Sequence, residues 1–173
     1  IGNWAFSLCT DLREIDLPDG MTEIGEGTFS SCDALQEINL PEGVTSIGDK
    51  AFYFCSALQG IDLPDGLTGI EDAAFVCCAA LQEITIPDSV TAMGANPFPK
   101  CDSLTQISVS PDSAFEVVDG ALFEKRTKRL VCLPSGLKRS EYSVPEGVQS
   151  IGHGAFAYCE ALRGIELPDS VTS

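Results

Sequence analysis

The chain has 173 residues, of which 44% are hydrophobic, so it is long and apolar enough to bury a core and is not a disordered chain. Its 26 acidic and 10 basic residues give a net charge of -16. That charge repels phosphate backbones and anionic headgroups, and no run approaches the roughly 20 apolar residues that span a bilayer; nucleic acid partners and membrane insertion are therefore not expected.

The main feature of the sequence is a repeat of 23 residues. Five cysteines keep this spacing, at Cys9, Cys32, Cys55, Cys78 and Cys101. A phenylalanine lies three residues before each of them, a leucine three residues after and an isoleucine six residues after. The unit is F-x-x-C-x-x-L-x-x-I-x-[LIV]-P-[DE]-[GS]-[VLM]-T-x-[IM]-G, and it returns at Phe156 and Cys159 after an irregular stretch. Such a repeat predicts a solenoid of stacked coils.

The first predicted element of each unit is a short strand. Ile15 and Leu17 are two residues apart and share one face of an extended segment, with Glu14 and Asp16 on the other face. Pro18 lacks an N–H and ends the strand, and the Asp-Gly, Glu-Gly or Asp-Ser pair that follows each proline favours a turn. We expect the equivalent strands of successive coils to be parallel and about 4.8 Å apart.

The second part of each unit is predicted to return to the next strand. Met21, Ile24 and Phe29 have apolar spacings of three to five residues, which indicate a return segment followed by a short helical or 3₁₀ turn. One coil cannot bury its apolar side alone. The sequence therefore predicts a single domain over residues 1–173.

An irregular stretch, residues 110–144, separates the regular coils of 1–109 from the coil of 145–173. Pro134 and Pro145 are only 11 residues apart, whereas a parallel crossover needs about a dozen residues or more. Asp119-Gly120 and the polar segment 125–128 are turn signals between apolar strand formers. We expect a β-hairpin or small meander over 115–133 and an abbreviated link or local antiparallel excursion over 133–142.

The repeated L-x-x-I-x-L-P-x-x-V-T-x-I-G-x-x-A-F-x-x-C resembles the BspA-like leucine-rich repeat, and D-G-A-L-F at Asp119–Phe123 resembles the hairpins that interrupt arrays of that family. The resemblance covers nearly all of the chain. It implies a leucine-rich-repeat solenoid, α/β or mainly β, with parallel strands on one face, short return strands and helical or 3₁₀ turns on the other, and one irregular hairpin coil. It also implies an extracellular or cell-surface protein, in a family with members implicated in adhesion to host matrix proteins.

The cysteine spacing predicts a ladder of buried free thiols, because stacked Cβ vectors are parallel and free cysteine behaves as a small hydrophobe. The alternative is one or more disulfides, with Cys77 and Cys132 as candidates outside the ladder. A row of thiols lacks the paired spacing of zinc sites. The acidic residues after the prolines, such as Asp19 and Asp88, favour turns, with weak Ca²⁺ sites as the alternative. No metal site or cofactor is assigned.

The sequence offers no candidate catalytic set. The single histidine, His153, has the repeat position of Glu26 and Asp49, which is variable and expected to be exposed. Serine and cysteine nucleophiles have no other base. No carboxylate pair is marked by a break in the repeat, where a catalytic cleft would be expected. We therefore expect a protein that is not an enzyme.

The candidate binding surface is the outward face of the strands before the prolines, called the strand face below. Solenoids use such faces for extended recognition. The face suits a protein or glycan of cationic character, and its candidate residues are Glu14, Asp16, Glu37, Asn39, Asp62, Glu83, Thr85, Gln106 and Ser108. The alternative function is a structural spacer in a long surface protein, which is favoured by the lack of large aromatic anchors on this face.

Six basic residues form a second candidate surface in the irregular stretch: Lys125, Arg126, Lys128, Arg129, Lys138 and Arg139. They predict either a docking patch for an acidic partner or another copy, or solvated turns. The two ends of the chain are in register for one continuous solenoid and have no polar caps. We expect further repeats on both sides or end-to-end self-association.

Overall fold

The computed structural model describes residues 1–173 and confirms a mainly β solenoid of stacked coils. No helix in it has the length and apolar character needed to cross a bilayer. Its elements are β1 Glu23–Ile24, β2 Ser46–Ile47, β3 Gly69–Ile70, β4 Glu83–Ile86, β5 Ala92–Met93, β6 Gln106–Val109, β7 Phe115–Val118, β8 Ala121–Glu124, β9 Arg129–Cys132, the 3₁₀ helix η1 Ser135–Leu137, β10 Glu141–Ser143, β11 Ser150–Ile151 and β12 Gly164–Glu166.

The return segments form a four-stranded parallel sheet, called the return sheet below. Its order is β1-β2-β3-β5, and paired residues are one repeat apart. The hydroxyl of Thr45 donates to the carbonyl of Thr22 at 3.1 Å, and that of Thr68 donates to Thr45 at 2.9 Å. A Cβ on Gly48 would lie 2.8 Å from the backbone N of Glu26 in the preceding coil. These contacts between coils explain the T-x-I-G part of the repeat.

The strands expected before the prolines form only in part. β4 pairs with β6 and β10 pairs with β12, both in parallel, whereas the second and third coils share a single bridge between Asn39 and Asp62. The full pairs contain β-branched residues such as Thr85 and Ile86, which favour strands, while asparagine and aspartate disfavour them. The length of each strand therefore follows the residues that vary within the repeat.

The third side of each coil, called the turn side below, contains consecutive hydrogen-bonded turns in place of the expected helical or 3₁₀ turns. Its backbone N–H groups donate alternately within the coil and to the next coil. Ser30 N donates to Gly27 O of the same coil at 2.9 Å, and Phe29 N donates to Ala51 O of the next coil at 2.8 Å. Most coils also have two residues with left-handed φ, such as Lys50 at 53° and Phe54 at 60°. Left-handed residues interrupt a helix, and in the first three coils their N–H groups bond to the next coil.

Identical side chains stack along the core of the solenoid. Phe6, Phe29, Phe52, Phe75 and Phe98 form a continuous column, with ring centroids 5.3 to 5.5 Å apart and interplanar angles between 3° and 20°. Stacked aromatic pairs contribute about 0.5–1.5 kcal/mol each beyond the burial of their surface. The column therefore stabilises one vertical alignment of the coils over any other.

All eight cysteines are free thiols, and the ladder members Cys32, Cys55, Cys78 and Cys101 are buried as predicted, whereas Cys9 in the first coil is exposed and Cys159 in the last coil is half-buried. The thiols of the ladder donate to the phenylalanine carbonyl of the preceding coil, as from Cys55 Sγ to Phe29 O at 3.1 Å and from Cys101 Sγ to Phe75 O at 3.0 Å. Burial raises the pKa of Cys101 to about 12 and that of Cys32 to about 11. The ladder is therefore a hydrogen-bonded, protonated column at neutral pH.

The predicted meander is present in the irregular coil. Antiparallel pairing joins β7 to β8 and β8 to β9. Asp119 and Gly120 form the tight turn between the first two strands, with φ of 49° and 84°, as expected for an Asp-Gly hairpin. The third strand rejoins the solenoid, because β9 pairs in parallel with β11.

β9 takes a shorter path than the equivalent part of a regular coil. Leu130 pairs with Ile151 in the return strands, and Leu133 takes the place of the phenylalanine: its N–H donates to Ala155 O at 2.8 Å and its carbonyl accepts from Cys159 Sγ at 3.3 Å. Residues 130 and 133 are three apart, whereas the equivalent residues 151 and 156 are five apart. The irregular coil therefore lacks the consecutive turns of the turn side, and Cys132 is a buried free thiol without the ladder's bond to a phenylalanine carbonyl.

The 11-residue interval between prolines is explained by the same path. Pro134 follows β9, which pairs with the return strand β11 and is not a strand of the strand face, so the irregular coil runs from Pro111 to Pro145, 34 residues apart. The abbreviated link contains η1 and β10. A Cβ on Gly136 would lie 2.3 Å from Leu104 O, so only glycine allows the link to pack this closely on the preceding coil.

Arg129 connects the irregular coil to the edge of the return sheet. Its Nη2 donates to the carbonyl of Met93, in the last strand of that sheet, at 3.0 Å. Its Nε lies 3.3 Å from Oε2 of Glu124, as an ion pair without a hydrogen bond at Nε. The guanidinium thus bonds the sheet edge to β8 at the point where the regular ladder stops.

Alkaline pH is expected to unfold the chain through its buried thiols. Their folded pKa values, about 11 for Cys32 and about 12 for Cys101, lie above the ordinary value of 9.0. Below pH 9.0 both states are protonated and stability is full; above it the unfolded state loses protons first, so stability falls as the pH approaches 12. Urea unfolding under reducing conditions should show a slope of about 1.4 kcal/mol per pH unit for each such thiol.

Cys101→Ala is the control for this pH dependence. It removes one thiol, so the alkaline slope should decrease by the contribution of one group even though the variant is less stable at pH 7. An unfolding free energy that stays constant from pH 8 to pH 11 would show that the thiols do not control alkaline unfolding.

Substituting Arg129 is expected to destabilise the fold. Arg129→Met keeps the apolar part of the side chain but removes the donor to Met93 O and the partner of Glu124, whose side chain is only 15% exposed. The expected loss is about 2–3 kcal/mol in urea unfolding. Arg126→Met, at an exposed neighbour, should change stability by about 0.5 kcal/mol or less. Equal effects of the two substitutions would contradict the structural role of Arg129.

Two adjacent alanines test the left-handed turn-side positions. Ala73 has a φ of 56°, whereas Ala74 does not have a positive φ and is fully buried. Ala73→Gly should be neutral or stabilising by up to about 1 kcal/mol, because relief of the left-handed strain exceeds the added entropy of the unfolded chain. Ala74→Gly should destabilise by about 1–2 kcal/mol. Thermal melts that place the two variants in the opposite order would show that the assigned backbone is wrong.

Candidate functional site

The strand-face residues form two outward rows. Glu14, Glu37, Glu83 and Gln106 lie in one row, and Asp16, Asn39, Asp62, Thr85 and Ser108 lie in the other; all are exposed except the half-buried Ser108. The amide of Gln106 donates to Ser108 Oγ at 3.2 Å, which links the rows in the fifth coil. The structure therefore brings the predicted residues together on one surface.

A notch interrupts this surface at Gly60, which lies in the row of glutamates. A Cβ added there would meet nothing within 4 Å, so the missing side chain leaves open space between Glu37 and Glu83. Two adjoining depressions of about 220 and 300 Å³ meet at Gly60, Ile61 and Asp62. Four carboxylates and no lysine or arginine line them, from Glu37, Asp62, Asp65 and Glu83. We call this feature the Gly60 notch.

The six basic residues of the irregular stretch do not share one environment. Lys125 Nζ donates to the carbonyls of Pro111 and Ser113, both at 2.8 Å, and Arg129 is bonded to Met93 and Glu124. Arg126 and Lys128 are exposed on the turn between β8 and β9, whereas Lys138 and Arg139 are exposed after η1. Two of the six side chains therefore hold the irregular coil in place, and the other four lie in two separate turns.

A concave surface larger than the two depressions of the Gly60 notch lies on the turn side, where the irregular coil lacks the consecutive turns of the regular coils. A cleft of about 520 Å³ is bounded by turn-side residues of three regular coils and of the last coil, at 49–54, 72–77, 95–100 and 153–158. Asn96 spans the gap: its Nδ2 donates to Gly154 O at 2.8 Å and its Oδ1 accepts from Phe98 N at 3.0 Å. We call this surface the turn-side cleft.

Aromatic side chains line the turn-side cleft. Phe54 and Tyr158 are 41% and 51% exposed, which is unusual for such large side chains, and Tyr53 contacts Phe54 with ring centroids 4.6 Å apart. Lys100 Nζ lies 5.9 Å from the centroid of Tyr158, a cation–π distance. Cys77 is buried in the lining, and burial raises its pKa, so it is a protonated apolar contact.

Charged side chains of both signs also line the cleft. Asp49 Oδ1 accepts from Asp72 N at 3.1 Å, and Asp72 Oδ1 accepts from Ala95 N at 2.6 Å. Each carboxylate is thereby fixed on the next coil through one oxygen. Lys50 and Lys100 provide two positive charges near these two negative ones.

His153 lies at the edge of the same cleft and is exposed, as its repeat position predicted. Sequence reasoning compared this position along the repeat but did not identify the cleft, because the four segments that form it are up to 109 residues apart, from 49 to 158. Two signals were present: the short coil implied by the proline spacing, and the residue before each ladder cysteine, which is phenylalanine at 54 and tyrosine at 158. No group of three or more His, Cys, Asp or Glu side chains is placed to hold a metal ion.

Comparison with known structures supports the assigned fold. The chain is 37% identical to a leucine-rich cell surface protein from Faecalibacterium prausnitzii, with a TM-score of 0.87 over 98% of this chain and 45% of that one. A leucine-rich-repeat protein from Bacteroides ovatus is 34% identical, with a TM-score of 0.73 over 99% and 41%. The pneumococcal vaccine antigen PcpA is 29% identical, with a TM-score of 0.74 over 87% and 44%. The chain thus spans less than half the length of these structures.

The match to a family model extends over the whole solenoid. No curated protein matches the chain. Six copies of the BspA type leucine rich repeat region match residues 1–130 and 132–173, which include the regular coils, the meander and the last coil. The chain therefore belongs to the BspA-type leucine-rich repeat family.

Proposed function

We propose that the chain is a non-enzymatic recognition module of a cell-surface protein, which binds a protein or glycan of cationic character through the strand face. The Gly60 notch is the observation that carries this proposal. Gly60 breaks the row of large polar side chains between Glu37 and Glu83, and four carboxylates line the notch without a neighbouring cation. A lysine or arginine side chain, or an amino sugar, is complementary in size and charge.

The charge of the whole chain supports the same class of ligand. With a net charge of -16, the molecule attracts positively charged partners and repels anionic ones over distances of about 10 Å at moderate salt. The similarity to the cell surface protein of F. prausnitzii and to the pneumococcal antigen supports a location on the cell surface. A structural spacer is the alternative function, since the strand face carries no aromatic anchor.

Filling the notch is expected to abolish binding. Gly60→Gln places the side chain that Gln106 has in another coil, adds no charge and meets no atom within 4 Å at Cβ. Immobilised matrix proteins and glycans are screened with the unmodified chain, and the variants are then measured by surface plasmon resonance. We expect Gly60→Gln and the triple variant Glu37→Lys, Asp62→Lys, Glu83→Lys to lower affinity by about tenfold or more.

A charge-matched control distinguishes the effect of the strand-face residues on affinity from the effect of the net charge of the whole molecule. The triple variant Glu23→Lys, Glu26→Lys, Glu160→Lys makes the same change of net charge at exposed positions away from the strand face, and it should retain binding at moderate salt. If no basic ligand binds the unmodified chain, or if the control variant loses as much affinity as the face variant, the recognition function fails and the spacer function replaces it.

A further inference from the structure

The turn-side cleft has the dimensions of a site for a small ligand. Its volume of about 520 Å³ lies within the range of about 300–1,000 Å³ that is typical of ligand pockets. It lies on a different side of the coils from the strand face, and the two sites share no residue. A ligand of a few rings fills such a cleft, whereas a folded partner does not enter it.

The aromatic side chains in the cleft are held outward by the backbone. Phe54, Lys100 and Tyr158 all have left-handed φ values, between 58° and 60°. The N–H of Phe54 donates to the next coil at 2.8 Å, which fixes this strained conformation. The exposed rings of Phe54 and Tyr158 present flat apolar surfaces to the cleft. Flat surfaces of this kind suit the C–H faces of sugar rings.

The polar groups in the cleft suit hydroxyl groups. Oδ1 of Asp49 and of Asp72 accepts a backbone N–H, so each carboxylate is fixed and has a second oxygen to accept from a ligand hydroxyl. Lys50 and Lys100 supply donors. The four charges balance, in contrast to the four carboxylates of the Gly60 notch. An uncharged ligand is therefore favoured here, because the field of the whole chain repels anions and the balanced local charges give a cation no net attraction within the cleft.

We propose that the turn-side cleft binds a short neutral oligosaccharide, with sugar rings against Phe54 and Tyr158 and hydroxyls hydrogen-bonded to Asp49, Asp72 and Lys100. This site is additional to the strand face and does not depend on it. The irregular coil creates the site, because its shortened path removes one turn segment and leaves a space that Asn96 spans. The interruption of the repeat thus has a binding function as well as a structural one.

The test uses the complete chain with a panel of neutral oligosaccharides: chitotriose, cellotetraose, mannotriose and N-acetyllactosamine, with sialyllactose as the anionic comparison. Saturation-transfer NMR detects binding, and titration calorimetry measures it. We expect at least one neutral saccharide to bind and sialyllactose to bind more weakly. Tyr158→Ala and Phe54→Ala should each lower affinity by about tenfold, through loss of ring stacking.

Two further variants test whether the saccharide binds in the turn-side cleft. Asp72→Asn keeps an acceptor for Ala95 N but replaces the second oxygen, so it should weaken binding without a change in melting temperature. Leu8→Ala, at the equivalent left-handed position of the first coil and 73% exposed, should have no effect. Absence of binding to every neutral saccharide overturns the proposal. So does binding that Gly60→Gln abolishes and Tyr158→Ala leaves unchanged, which would place the saccharide on the strand face.

Discussion

The structure depends on one constraint: each coil must present the same atoms to its neighbours at the same height. The phenylalanine column and the thiol ladder impose this together, because the ring at Phe52 stacks on Phe29 and the thiol of Cys55 donates to the carbonyl of Phe29. A shift of one residue in either coil would break both contacts. Stability in such a fold is a sum over neighbouring coils, so the register is reinforced at every step and not by one central core.

The same constraint makes like charges a problem for the strand face. Residues one repeat apart lie side by side, so a glutamate repeated in every coil would form a column of repelling carboxylates. Gly60 and Gln106 interrupt that column between Glu37, Glu83 and the later coils. Gly60 therefore has two effects: it removes two repulsive contacts, and it opens the notch. A cationic ligand seated there would neutralise the repulsion that remains, which relates the proposed binding to the acidity of the repeat.

Much of the fold was predictable because the repeat displays its own period. The 23-residue spacing, the thiol ladder and the Asp-Gly hairpin at Asp119 follow from residue types and spacing alone. Three features did not. The left-handed residues include Lys50, Phe54 and Cys77, whose side chains give no signal for positive φ, since bonds from their N–H groups to the next coil impose it. Leu133 takes the phenylalanine position through a shortened strand, which spacing along the chain concealed. The turn-side cleft arises between segments that are distant in sequence.

The irregular coil shows how an interruption is accommodated without loss of register. The meander enters after Pro111 and leaves through Leu133, yet Leu133 O still accepts from the thiol of Cys159, and Leu130 still pairs with Ile151. The stack of coils therefore continues through the insertion, although the return sheet ends at β5 and the turn side is interrupted. Two polar side chains compensate for the broken contacts: Arg129 bonds to the last regular return strand, and Asn96 reaches across the missing turn to Gly154. An array that contains such a coil has a cleft beside it, while the coils on either side keep their spacing. Insertion of a shortened coil is therefore a means of placing a binding site on an otherwise uniform surface.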